Sequence, residues 1–170
     1  GVGGGGSGVC GGPRGAGLAR ALGAPVLTSY GGRGLLPPDH PHLVPLPPHV
    51  PEAGALWDEA DCVLVLGSDL DFMNTQGFRQ PRPKQLHVID LIEPVNCQPD
   101  IWWQSDVAPA LEQTLDLVKH VEAYDRKPWF THPGGRELYA GPETAFLDAL
   151  ESGLPDDAVV VADMCIPGYW

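Results

Sequence analysis

Short runs of Val, Ile and Leu that stop abruptly at small or acidic residues constrain this chain more than any other feature. Pro25-Val26-Leu27 gives way to Thr28-Ser29, Val63-Leu64-Val65-Leu66 to Gly67-Ser68-Asp69, and Leu86-His87-Val88-Ile89 to Asp90. A strand with one wet face alternates apolar and polar residues. Runs without that alternation predict strands buried on both faces, in a parallel sheet covered by helices. The expected fold class is therefore α/β, a Rossmann-like three-layer domain. Ligands of open α/β sheets bind beyond the carboxyl ends of the strands. Thr28, Gly67, Ser68 and Asp90 stand where those ends should be, and they are the first candidate ligand contacts.

The segments between the runs fit the same plan. Arg14 to Leu22 carries Leu18, Ala21 and Leu22 at helical spacing and ends at Gly23, a favourable residue just past a helix. Strands are expected at Pro25–Thr28, Cys62–Leu66 and Gln85–Asp90, with a short extended piece at Ile101–Gln104. Prolines between Gly31 and Pro51 forbid a long helix there. Pro51 to Ala60 reads as a short helix with an apolar stripe of Ala53, Leu56, Trp57 and Ala60. Asp71 to Phe78 reads as a helical turn ended by Pro81 and Pro83. The clearest helix starts after Ser105 or Asp106 as cap and places Val107, Leu111, Leu115, Val118 and Val121 on one stripe. Alternating strands and helices call for right-handed parallel crossovers.

Beyond that helix the pattern weakens. Residues 124–140 read as a linker rich in Pro, Gly and charge, which separates a domain at 1–123 from an appendage at 141–170. The appendage reads as a helix at Pro142–Leu150 and a strand at Ala158–Ala162.

Charge excludes some partners. The 170 residues hold 10 Lys+Arg against 22 Asp+Glu, a formal net charge of -12. A chain so acidic, without a basic cluster, is repelled by phosphate backbones and anionic lipid, so neither nucleic acid nor a membrane surface is expected. No apolar stretch is long enough to span a bilayer, and no charged-then-apolar leader opens the chain. The four cysteines (Cys10, Cys62, Cys97, Cys165) are scattered and form no CxxC pair. They predict a reducing, cytoplasmic setting and no zinc site, with Cys62 inside its strand acting as a small hydrophobe.

Several residues invite sharper readings. The opening Gly1-Val2-Gly3-Gly4-Gly5-Gly6-Ser7-Gly8 satisfies G-x-G-x-x-G from Gly1 and again from Gly3. Such a loop lets backbone N–H groups approach a pyrophosphate at a helix N-terminus, which makes Gly3 and Gly4 candidate contacts; a flexible linker has the same composition. His40, His42 and His49 share a proline-rich loop, but no Cys or acid is spaced to complete a metal site with them. If their segment is extended, Trp102 and Trp103 should alternate in direction, one into the core and the other exposed or at an interface. No Ser-His-Asp arrangement is defensible from the sequence.

In order and spacing, these pieces resemble the thiamine-diphosphate-dependent enzymes related to acetolactate synthase and the 2-oxo acid decarboxylases. Leu22-Gly23-Ala24-Pro25-Val26-Leu27-Thr28, followed by Gly32-Arg33-Gly34-Leu35-Leu36-Pro37-Pro38-Asp39-His40-Pro41, is similar to the start of that family's central domain. Asp61 to Asp71 is similar to its central strand and turn, and His87-Val88-Ile89-Asp90 and Ser105-Asp106-Val107 match two later stations. The resemblance implies a nucleotide-holding crevice, with Asp90 toward a ribose and Asp106 and Val107 toward an adenine. Helix capping is the alternative role of Asp106.

The resemblance also implies partners. Family members of this type carry a catalytic glutamate on a first domain and a magnesium-binding Gly-Asp-Gly motif on a third, and they assemble as homodimers or homotetramers. This chain has no Gly-Asp-Gly. Asp163 to Trp170 resembles the beginning of the third domain, with Cys165, Ile166 and Pro167 replacing the usual Gly, Gln and His. Asp69 stands where relatives that bind FAD or ADP carry an arginine able to clamp a pyrophosphate. The implied reading is part of an enzyme whose full-length parent uses thiamine diphosphate and Mg2+, the part itself serving as scaffold with no catalytic residue. FAD or ADP use is expected to be lost or altered in it, and no ligand is expected to be held tightly. A free-standing nucleotide-binding module and a degenerate domain kept for subunit packing stay open beside it.

Overall fold

A computed structural model describes residues 12–120, 138–161, 163, 165 and 169. The chain divides into two compact units, Gly1–Thr131 and His132–Trp170. In the first unit, β1 (Val63–Leu66), β2 (Leu86–Asp90) and β3 (Ile101–Gln104) form a parallel sheet of order β1-β2-β3. Val65 pairs with Val88 and Leu66 with Ile89, while Ile89 also pairs with Trp103 and Asp90 with Gln104.

Side-chain alternation divides these strands between two cores. Leu64, Leu66, Ile89 and Trp103 join a cluster with Leu18 of α1 (Gly12–Leu22) and with Val107, Ala110 and Leu111 of α3 (Val107–Val118). Val63, Val65, Leu86, Val88 and Trp102 join Trp57 of α2 (Pro51–Glu59) on the opposite face. The domain is thus three-layered, as the unbroken aliphatic runs required. Trp102 and Trp103 alternate in direction as expected, but neither is left exposed. Both are half-buried, one in each cluster, because neither face of β3 is left open.

The helices start and stop for local reasons. Gly23 follows α1 with φ 61°, a conformation that glycine adopts without strain. Pro51 opens α2, where its missing N–H costs nothing. Asp106 caps α3 by accepting from the Ala108 N–H at 3.2 Å. Arg14 of α1 is ion-paired with Glu112 of α3. Val121, expected on the α3 stripe, lies outside the described residues, as do the glycine opening and residues 124–137 of the expected linker. In the second unit α4 spans Pro142–Gly153.

Five expectations change. Pro25–Thr28 is not a strand of the sheet. Val26 makes an isolated parallel bridge to Leu43, with its N–H donating to the His42 carbonyl at 2.7 Å and its carbonyl accepting from Val44 N–H at 2.9 Å. Asp71–Phe78 is a series of turns rather than a helical turn. Gln76, Gly77 and Phe78 have φ of 56°, 71° and 60°, incompatible with a right-handed helix. Asp71 Oδ1 instead accepts from the Asn74 N–H at 2.8 Å, a side-chain bond that competes with helical pairing. The connections from β1 to β2 and from β2 to β3 accordingly hold no α-helix.

Ala158–Val161 is exposed and unpaired, and Ala162 lies outside the described residues. An extended segment becomes a strand only within a ladder; here the Ala158 N–H donates to the Pro155 carbonyl at 3.0 Å, a local turn, and no ladder joins the segment to another among the described residues. Cys62 precedes β1 and is exposed rather than buried within it.

Asp100 pins the start of β2. Its Oδ2 accepts from the Leu86 N–H at 2.8 Å, and its Oδ1 accepts from Arg82 at 3.1 Å. The Leu86 bond, helped by Arg82, holds the carboxyl below the usual carboxylate range. A depressed carboxylate stabilises the fold above its unfolded pKa of about 3.9, and that contribution disappears as pH falls through the lower folded value. Asp100→Asn is expected to lower the urea midpoint at pH 7, with the gap to the parent closing as the pH is taken below 4. In the core, Leu111 is 1% exposed. Leu111→Ala is expected to cost about 2–5 kcal/mol in urea unfolding at pH 7.

Candidate functional site

The parallel ladder gathers the polar strand ends on one side of the sheet. The register of β1 with β2, and of β2 with β3, sets Gly67-Ser68, Asp90 and Ser105-Asp106 at a common carboxyl rim. Thr28 is buried on the segment bridged to Leu43, so the sheet's register does not place it there. Gly3 and Gly4 lie outside the described residues.

Each rim residue is engaged locally. Gly67, with φ 59°, turns the chain sharply after β1 while its N–H donates to the Ile89 carbonyl at 2.9 Å. Ser68 is buried, and its Oγ accepts from the Leu70 N–H at 3.3 Å. Asp90 Oδ1 accepts from the Ile92 N–H at 3.0 Å, closing an Asx turn. The Asp90 carbonyl accepts from Ser105 N–H and from Trp102 Nε1, both at 3.2 Å. Asp106 is the α3 cap already described. The Val107 side chain is buried in the core, leaving only its main chain to meet a ligand.

Electrostatics at the rim run against a phosphate. Asp69 is exposed in the turn after Ser68, and Asp71, Asp90 and Asp106 add three more carboxylates in the strand-end loops. Among the described residues no Lys or Arg pairs with any of the four. An unneutralised pyrophosphate would meet like charge there.

Thiamine diphosphate fits this residue set no better. The chain has no Gly-Asp-Gly, and among the described residues no cluster of three or more His, Cys, Asp or Glu could hold a metal ion. No step of thiamine chemistry is assigned to these residues.

Two features escaped the sequence. The first is a polar cluster in the 29–50 loop. Tyr30 Oη is hydrogen-bonded to His49 Nδ1, and the Arg33 guanidinium lies 5.1 Å from the centre of the Tyr30 ring. Burial, and then the Arg33 charge, push the His49 imidazole below its usual pKa and favour its neutral form. No spacing rule connects residues 30 and 49 across a proline-rich loop. In the same loop His40 contacts Arg20 at 3.2 Å and accepts from the His42 N–H, while His42 Nδ1 is buried with no partner among the described residues. The second feature is a cavity of about 870 Å³ within the sheet layer, lined by Val26, Leu27, Leu64, Leu66 and Trp57 among others. None of the candidate ligand contacts among the described residues lines it.

A parallel sheet between two helical layers, with polar turns at its carboxyl rim, defines a Rossmann-like α/β domain. Residues 2–113 match the family described as "Thiamine pyrophosphate enzyme, central domain". The match covers well over half of the chain, and the chain belongs to that family. The curated proteins contain no match to it.

The geometry gives Asp106 the role of helix cap. Asp106→Ala is expected to lower stability by about 1 kcal/mol, as loss of a helix N-cap does, measured by chemical denaturation.

Proposed function

We propose that this chain is the central domain, with the beginning of the diphosphate-binding domain, of a thiamine-diphosphate-dependent enzyme that makes or breaks C–C bonds next to a carbonyl. The reaction type is that of an acetolactate synthase-like carboligase or a 2-oxo acid decarboxylase. The observation that carries the reading is the family match over residues 2–113, on a chain whose own strand-end rim offers no catalytic group and no metal cluster among the described residues. In such an enzyme the cofactor performs the bond chemistry and the protein supplies binding and orientation.

The central domain then acts as scaffold. Its apolar layers fix the position of neighbouring domains of the same enzyme, which supply the thiamine diphosphate and Mg2+ sites. Homodimeric or homotetrameric assembly in the cytoplasm belongs to the same proposal. Among the described residues no helix is long and apolar enough to cross a membrane. The acidic rim around Asp69 supports loss of FAD or ADP binding in this member.

Incubated with thiamine diphosphate, Mg2+ and pyruvate, the purified chain is expected to consume no substrate above a protein-free blank. Gel filtration after incubation with FAD or ADP is expected to leave the protein peak free of both. Turnover would show that the chain is more than scaffold. Stoichiometric nucleotide in the peak would restore the binding-module reading.

A further inference from the structure

The exposed apolar side chains of the first unit are unevenly placed. Nine large ones are exposed among its described residues. Five of them stand on two loops, Phe72, Met73 and Phe78 after β1 and Leu91 and Ile92 after β2. Both loops lie toward the carboxyl ends of these adjacent strands. In the first, Gln76 Nε2 donates to the Val50 carbonyl at 2.6 Å, at the N-terminus of α2, whose other end leads into the start of β1. In the second, Leu91 follows β2 directly, and its carbonyl accepts from Nε2 of Gln104, the last residue of β3, at 3.2 Å.

The loop after β1 holds its aromatic residues out in water. Gly77 N–H donates to the Phe72 carbonyl at 2.8 Å. A Cβ at Gly77 would meet the Phe72 ring at 3.3 Å, so glycine lets that ring lie across the turn. Leu70 and Phe78 have φ of 52° and 60°, a strained conformation for bulky residues. At Leu70 the strain is offset, because the side chain is buried in the α2 cluster. Phe78 has no such compensation. Its ring meets that of Phe72 edge to face, centroids 5.7 Å apart, and the two residues are 55% and 59% exposed. Strain kept without burial is a mark of functional surface. An exposed aromatic pair already fixed in position also loses little freedom when a partner covers it.

Charge selects the kind of partner. Asp69, Asp71, Asp90 and Glu93 stand in the same two loops, and among the described residues no Lys or Arg pairs with any of them. The one cation there, Arg79, is turned onto the Gln76 carbonyl at 3.0 Å. We propose that these two loops form a docking surface for another polypeptide chain, one that presents apolar side chains flanked by Lys or Arg. Its apolar residues cover Phe72, Phe78, Leu91 and Ile92, and its cations meet the carboxylates. Complementary charge of this kind selects partners and speeds encounter. A second copy of this chain would set carboxylates against carboxylates, and anionic lipid would be repelled in the same way. Such docking is independent of the reaction assigned to the parent enzyme.

The test adds peptides to the 170-residue chain and locates contact by backbone amide shifts. One peptide carries Leu and Lys in helical repeat, a second has Glu in place of Lys, and a third has Ser in place of Leu. The Leu/Lys peptide is expected to move the amides of residues 69–80 and 90–93 saturably. Phe72→Ser combined with Ile92→Ser is expected to weaken that binding by ~10-fold or more. Asp69→Lys, an exposed substitution that leaves the apolar residues in place, is expected to weaken it as well, as is high salt. Leu117→Ser, at an exposed position of α3, is expected to leave it unchanged. Absence of saturable shifts up to about 1 mM peptide would overturn the proposal. So would shifts outside these loops or in one of them alone, or an equal loss with Leu117→Ser. Equal binding of the Glu peptide would remove the role of charge, and equal binding of the Ser peptide would remove that of the apolar residues; either result overturns the proposal. A dimer by light scattering that Phe72→Ser disperses would assign the surface to a second copy. Flotation with phosphatidylcholine vesicles that Phe72→Ser abolishes would assign it to lipid. Both would overturn the proposal too.

Discussion

The parallel ladder through β2 is the constraint from which the rest of this domain follows. A strand bonded on both edges and covered on both faces has no wet side, so its side chains must be apolar in both directions. Val88, 1% exposed, and Ile89, 4% exposed, point into opposite cores from adjacent positions. Burying them requires helices on both faces, and α1 with α3 on one side and α2 on the other meet that need. Because all three strands run the same way, their polar ends fall on one rim.

That rim shows how a fold can carry a binding geometry without its electrostatics. Gly67 provides the sharp turn, Ser68 and Asp90 stand at the strand ends, and α3 begins just beyond β3. The available polar groups are spent on their own loops, and the surrounding charges are carboxylates. Family membership places the domain within a thiamine pyrophosphate enzyme. A rim of this composition repels a phosphate rather than neutralising it.

Much of this architecture was legible in the residues. The aliphatic runs located β1 and β2 to within a residue, and the spacing of Val107 and Leu111 located α3. The unread parts share a cause. Pro25–Thr28 has the composition of a strand, but a strand is a relation between two chains, and composition does not name the partner. The same holds for Ala158–Val161. Asp71–Phe78 has helical composition, yet the bonds that Asp71 and Thr75 make to their own loop favour turns with left-handed residues. The Tyr30–His49–Arg33 cluster joins positions far apart in sequence, which periodicity cannot detect.

The sequence alone determined the class of fold, because continuous aliphatic runs have a stable home only in a sheet covered on both sides. It also determined the acidic character of the strand-end loops, since charge is written residue by residue. Only the tertiary structure decided which runs pair, that both Trp102 and Trp103 find cover, and that one cavity is lined by both β1 and residues 25–27. Hydrogen-bond partners and cavities exist between segments, and their energies depend on distances that no single segment encodes.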